Sequence, residues 1–248
     1  MAATHAPAVS GRPLEGRVVL IAGAHGGLGA AASVACARAG ATTVLLGRKV
    51  PKLNRLYDTV AAAGPEPALY PLDMEGASPD DYAALARTLA TELGRLDGVL
   101  HCAAEFPGLT PLTQTDPAAF ARAIHVNLTA RWWLTQACLP LLSKATDASV
   151  VFVVDDTDRV GSAYWGGYGI AQHGVEALVR MLHAELQNGP VRVSGLKPGP
   201  MRTTLRSRAY VDEHDARARE AADYAAACVT LLSSDGAAHR GQIWSPAL

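Results

Sequence analysis

Residues 17–29 read RVVLIAGAHGGLG. Arg17–Gly23 (RVVLIAG) is an almost continuous apolar run, and further glycines follow at 27 and 29. An apolar run without alternation, ended by glycine, fits a short strand buried on both faces. Gly27–Ala39 has the small-residue composition of a helix, with Gly40 placed as its C′ glycine. Strand, glycine turn and helix begin a βαβ unit. The G-x-x-x-G-x-G spacing gives a tight turn, a backbone without Cβ where a pyrophosphate would approach, and a close helix–strand crossing. The helix N-terminus would meet that anion with unsatisfied N–H groups.

Outward from this turn the pattern repeats. Further strands are expected at Thr42–Gly47, Ala68–Leu72, Leu96–Cys102, Ser149–Val154, Val191–Leu196 and Gln242–Trp244. Helices are expected at Val50–Ala63, Pro79–Leu93, Pro117–Leu142, Tyr168–Gln187 and Ala221–Leu232. Strands alternating with helices imply right-handed crossovers and a Rossmann-like, doubly wound parallel sheet with helices on both faces. No repeat or linker splits the chain, so a single α/β domain over 15–248 is expected, preceded by a flexible tail at 1–14. Pro200–Ala218 lacks apolar periodicity and is expected as a mobile connection beside the sheet's carboxyl edge.

Composition bounds the function. The chain has 248 residues, 49% hydrophobic and 18% charged, which is globular, and a net charge of −1, which gives no case for nucleic acid or an anionic membrane. The arginines at 202, 206 and 208 read as a solvated face. Cys36, Cys102, Cys138 and Cys228 lack C-x-x-C or zinc-ligand spacing, so buried free thiols and no metal are expected. No signal peptide and no membrane span is read, and a cytoplasmic protein is expected.

Four features in order and spacing carry a resemblance: the glycine motif, Asn127 within HVNLTA, Tyr168, and Pro198-Gly199 within LKPGPMRT. On these the chain resembles the short-chain dehydrogenase/reductase family over about residues 15–245, with Leu96–Ala104 and Trp165–Tyr168 similar to a bacterial reductase subgroup. The resemblance implies a dinucleotide bound by Gly23, His25, Gly27, Leu28, Gly29, Asp73, Ala103, Gln172, Pro198, Gly199 and Thr203. Arg48 ends the second strand, where an acidic residue would take the ribose 2′-hydroxyl and a basic one suits a 2′-phosphate, so NADP(H) is expected over NAD(H). A homodimer or homotetramer is implied by the family alone.

The same resemblance assigns the reaction centre and shows a departure. The family passes a proton through a Tyr, helped by a Lys four residues on, a Ser thirteen residues before, and an Asn on the long helix. Tyr168 and Asn127 match, but Gln172 stands at the Lys position and Asp155 at the Ser position. Cys102 replaces a further Asn at the end of the fourth strand. A Lys ammonium about 4 Å from a phenolate is worth roughly 4 kcal/mol at an effective dielectric of 20, about three pKa units. Gln172 supplies none of this, and an ionised Asp155 would push the phenol pKa up. Tyr168 is therefore expected to stay neutral, a usable proton donor and a poor base. Asp155 also reads as a loop cap, Asn127 as a helix residue bonding its own backbone, and His101 and His173 as structural.

Three functions stay open at this point. One is an NADP(H)-dependent reductase of a carbonyl or related small molecule. Another is a non-redox enzyme, an isomerase, dehydratase or cyclase, using Asp155 and Tyr168 as an acid/base pair. The third is a nucleotide-binding protein without catalysis. Tyr164, Trp165 and residues 200–218 would line the substrate pocket, suggesting an apolar or aromatic ligand.

Overall fold

Seven parallel strands form one sheet in the order β3-β2-β1-β4-β5-β6-β7. They are β1 Val18–Ala22, β2 Thr42–Gly47, β3 Ala68–Pro71, β4 Gly98–His101, β5 Ala148–Val153, β6 Val191–Leu196 and β7 Ile243–Trp244. The computed structural model describes residues 11–210, 212 and 215–247. The tail expected at 1–14 falls largely on residues 1–10, outside the described residues. Leu14 is fully buried and its N–H donates to the Ala39 carbonyl at 2.9 Å, so the folded body already includes it.

Both faces of the sheet are apolar, which is why the strands show no alternation. Val18, Leu20 and Ala22 pack into one core while Val19 and Ile21 pack into the other. Helices α1 (Gly27–Arg38), α2 (Val50–Ala61) and α8 (Ala225–Leu232) cover the second face. Helices α3 (Pro79–Glu92), α5 (Ala130–Leu142) and α7 (Gly166–Leu186) cover the first. Two short helices, α4 (Pro117–Ile124) and α6 (Thr157–Val160), complete the set. Helix α1 closes as a Schellman motif at Gly40, φ +98°: Gly40 N–H donates to the Ala37 carbonyl and Ala41 N–H to that of Cys36.

Chain order reverses at β1, whose neighbours are β2 and β4. The crevice above the carboxyl ends of β1 and β4 is therefore where a doubly wound sheet binds its ligand.

The structure differs from the sequence reading at three places. The helix expected over Pro117–Leu142 is broken by a wide turn at His125–Thr129, where Ala130 N–H reaches back five residues to the His125 carbonyl. Helix α6 was not foreseen; it follows directly on the polar run after β5. The segment after β6 is tied back by a bridge between Met201 and Arg219 and carries a 3₁₀ turn at Arg206–Arg208.

Candidate active site

The glycine turn after β1 is fixed by sterics. Gly23 has φ +79°, and a Cβ there would lie 2.5 Å from the Ala103 nitrogen. A Cβ on Gly29 would lie 2.3 Å from the Gly23 carbonyl oxygen. These contacts are backbone on backbone, so no rotamer change relieves them. The approach brings the N-terminus of α1 over the end of β1. Gly26 caps that helix without a side-chain bond, and its first turn holds no acidic residue, leaving its amides for an anion.

At the end of β2 three exposed cations, Arg48, Lys49 and Lys52, gather around the His25 imidazole. His25 lies against Gly47, where any Cβ would come within 2.4 Å of Nδ1. Burial, then Lys52, Lys49 and Arg48, hold its pKa below the ordinary histidine value. Arg48 also pairs with Glu75 at 3.4 Å and with Asp73 at 3.8 Å. The surplus of positive charge at this corner suits a phosphate dianion.

The reaction end sits at the carboxyl edge of β4 and β5. Tyr168, on the first turn of α7, donates its hydroxyl to Asp155 Oδ2 at 2.9 Å. The other carboxylate oxygen accepts from the Asp156 N–H at 2.7 Å and from Arg159, one helical turn on. Gln172 accepts the Asp155 N–H at 3.1 Å through its side-chain oxygen. The Tyr168 pKa is pushed well above the ordinary phenol value, first by burial, then by the Asp155 charge and hydrogen bond; Arg131 and Arg159 act against these. Asp155 is thus a loop cap and the partner of Tyr168 at once.

Arg131, on the first turn of α5, is 1% exposed. Its guanidinium donates to the Val153 carbonyl at 2.9 Å and to that of Ala103 at 2.5 Å. Its Nε has no partner among the described residues.

Asn127 stands elsewhere. Its amide donates to the Glu105 and Ala123 carbonyls at 2.7 and 2.8 Å and accepts the Glu105 N–H at 3.1 Å. It pins the loop after β4 and supports the wide turn, with no bond to Tyr168.

One cavity of about 380 Å³ joins these parts. Of the residues assigned from sequence, Gly23, His25, Gly27, Leu28, Arg48, Asp73, Ala103, Asp155, Tyr168, Gln172, Pro198, Gly199 and Thr203 line it, while Gly29 and Asn127 do not. Sequence reading missed Phe106, Arg131 and Arg159, which also line it, while Tyr210 belongs to the 200–218 segment expected there. For Arg159 the i,i+4 spacing from Asp155 was the available signal; the others come from distant segments without a motif.

The outer part of the cavity is aromatic. Phe106 stacks on Trp165 with ring centroids 5.0 Å apart and meets Tyr168 at 5.2 Å. Arg159 sits over Trp165 and Tyr210 at 5.8 and 5.9 Å from their ring centroids. Tyr164 corrects the sequence reading: it is exposed and outside the lining, with φ +78°. The arginine cluster is also not one solvated face. Arg206 is buried over Tyr210 and pairs with Asp215 at 3.5 Å, Arg208 donates to the Phe106 carbonyl at 2.6 Å, and Arg202 pairs at the surface with Glu220. Of the two histidines read as structural, His101 is buried and bonds Thr135, and His173 bonds the Gly169 carbonyl.

Comparison with known proteins supplies the family. The model of the short chain dehydrogenase family matches residues 17–214. The uncharacterized oxidoreductase YciK of Escherichia coli is 33% identical over 223 residues, 90% of this chain and 88% of that protein. The solved structure of a short chain dehydrogenase from Pseudomonas syringae superposes with a TM-score of 0.92 at 37% identity, covering 98% of this chain and 99% of that one. One from Escherichia coli CFT073, complexed with NADPH, gives a TM-score of 0.89 at 33% identity over 94% of this chain and 98% of that one.

Proposed function

The chain belongs to the short chain dehydrogenase family, a family of oxidoreductases, and from that premise we propose that it is an NADP(H)-dependent reductase of a small, aromatic or apolar carbonyl compound. The observation that carries this reading is the continuity of one cavity from the cationic corner of Arg48, Lys49 and Lys52 to the Tyr168–Asp155 pair. The NADPH complex of the similar Escherichia coli structure supports the same choice of nucleotide.

The residues fit a dinucleotide. Gly23 and Gly29 admit no side chain, the first turn of α1 leaves its amides for the pyrophosphate, and Arg48 faces the cavity where a 2′-phosphate would lie. Asp73, Ala103, Gln172, Pro198, Gly199 and Thr203 line the remaining length and would hold the adenine and nicotinamide ends. When bound, NADPH supplies the hydride.

Tyr168 supplies the proton. Its raised pKa keeps the phenol neutral at physiological pH, so it donates a hydrogen bond and then its proton to the substrate oxygen. Asp155, held by Arg159, orients the hydroxyl before substrate enters. Phe106 and Trp165 offer apolar faces to the substrate and keep water from the proton path.

A second reading is favoured by one observation, the direct Tyr168–Asp155 bond, which is also the geometry of a non-redox acid/base pair. Two further parts belong to the proposal. Exposed Trp132 on α5 and Ile170 and Met181 on α7 support association into a homodimer or homotetramer through those helices. Four unpaired thiols support a reducing, cytoplasmic setting. The test of the proposal is calorimetry with NADPH and NADH, followed by NADPH oxidation against a panel of aromatic aldehydes and ketones. NADPH binding at least tenfold tighter, with turnover, supports it. Equal affinities, or no binding of either, overturn it.

A further inference from the structure

Arg131 is among the largest fully buried side chains of the described residues, and within those residues its guanidinium bonds two backbone carbonyls. Among the described residues no carboxylate pairs with it. A buried cation with neutral partners is costly, and such a group persists where it serves the charge of a site. Two geometric facts say which site. Arg131 stands on the first turn of α5, where side chains tilt toward the helix N-terminus, so its guanidinium reaches the carboxyl edge between β4 and β5. It then lines the same cavity as Tyr168 and Gln172.

Gln172 is the neutral residue of the pair. It bonds the Asp155 N–H and brings no charge to Tyr168. The groups that face the phenol are Asp155 beyond β5, Arg159 on α6, Arg131 on α5 and Gln172 on its own helix. Arg159 is bound to Asp155, so its charge is largely spent on that carboxylate.

We propose, resting on the reductase reading above, that Arg131 is a relocated cation: a positioning residue that acts through Tyr168, stabilising the phenolate left when the proton goes to substrate, and supplied by α5 because α7 carries Gln172. In that step the Tyr168 O–H bond breaks and a new O–H bond forms on the substrate oxygen. The hydride's electron pair reduces the carbonyl carbon, the negative charge stays on the phenolate facing Arg131, and water later returns the proton. The guanidinium is pulled down to about 10, chiefly by burial, and remains protonated at neutral pH; Tyr168 and Cys102 raise it against that burial. His101, the remaining titratable group beside it, is held well below its ordinary value by burial and by Arg131, and stays neutral.

The test places 2,3,5-trifluorotyrosine, a far more acidic phenol, at position 168 and follows its ionisation by absorbance in the full chain without nucleotide. A unit charge several ångströms away at an effective dielectric near 20 moves a pKa by about 1–2. Arg131→Gln should raise the phenol pKa by that amount, and Arg131→Lys should restore most of it. Arg131→Gln combined with Gln172→Lys should return the pKa to within about 0.5 of the starting value. A merely structural Arg131 would lower the melting temperature of Arg131→Gln and leave the phenol pKa in place, which overturns the proposal. Should Arg131→Gln not fold, Arg131→Met, which keeps an unbranched side chain without the charge, is compared with Arg131→Lys, and an equal phenol pKa in the two is equally contradictory. The titration uses neither NADPH nor carbonyl substrate, so its failure is distinct from a failure of the reductase reading.

Discussion

The two ends of the cavity are built by different physics. At the nucleotide end, the turn from Gly23 to Gly29 is set by backbone touching backbone, and a single methyl at either glycine has nowhere to go. At the reaction end, Tyr168, Asp155, Arg159 and Arg131 come from α7, the loop after β5, α6 and α5, and act on one another through charge. Steric complementarity names its residues, because only glycine fits. Electrostatics fixes a potential at a point, and several arrangements of side chains produce the same potential. The first end therefore carries the glycines that the family resemblance names, while the second, as proposed, draws its charge from different helices.

The contrast can be broken most severely at the nucleotide end. Gly29→Ala should cost about 3–5 kcal/mol of stability, because the added carbon lies 2.3 Å from the Gly23 carbonyl oxygen and the helix must move off the strand. Urea unfolding reads the loss, and a variant as stable as the parent would show that the crossing is looser than described. At the reaction end, Tyr168→Phe should lower NADPH-dependent turnover by about 10²–10⁴ while leaving NADPH affinity within about threefold. Calorimetry alongside the rate assay separates the two effects. A joint fall would mean that the ends are not independent.

Arg48→Ala sharpens the comparison from the other side. It should narrow the preference for NADPH over NADH by about 1–3 kcal/mol, roughly 5- to 150-fold in the ratio of Kd values, without altering turnover at saturation. An unchanged ratio would move the 2′-phosphate contact to Lys49 or Lys52.

The smallest effect is in the pH dependence of stability. The Tyr168 pKa is raised in the folded chain, so its contribution is fully present below about pH 10, the unfolded phenol's value, and is lost as pH rises toward the folded value. Above pH 10 the parent should lose up to about 1.4 kcal/mol per pH unit relative to Tyr168→Phe. The buried thiols, Cys36 and Cys102 among them, are pushed up to about 12 in both proteins and cancel in the difference. Parallel stability curves above pH 10 would show that Tyr168 ionises freely in the folded state.

How much was legible in the sequence follows the same division. Strands β2 and β6 fall on the residues read from their apolar runs, because strands buried on both faces leave an uninterrupted signal. The helix expected over Pro117–Leu142 was read as continuous because its apolar face is continuous. The break at His125–Thr129 depends on Asn127 bonding the Ala123 carbonyl and the Glu105 loop, contacts that periodicity does not carry. The glycine cradle was legible because its spacing is local. Arg131 was not: within TARWWLTQ a lone arginine reads as the polar edge of a helix, and only the fold buries it against the Val153 and Ala103 carbonyls in the lining that Tyr168 shares. Tyr164 is placed in the pocket by the family resemblance, yet it has a positive φ and lies exposed.

The central claim is that a redistributed reaction end still performs hydride chemistry with Tyr168 as proton donor. Its most direct test is turnover of an aromatic carbonyl with NADPH carrying deuterium at both C4 positions, using the parent chain and Asp155→Ser. The account expects one deuterium on the product carbinol carbon for each NADPH consumed, with Asp155→Ser retaining activity because serine donates a hydrogen bond without charge. Product formed without deuterium or NADPH loss, and abolished in Asp155→Ser, would contradict it and assign the Tyr168–Asp155 pair to acid/base chemistry without redox.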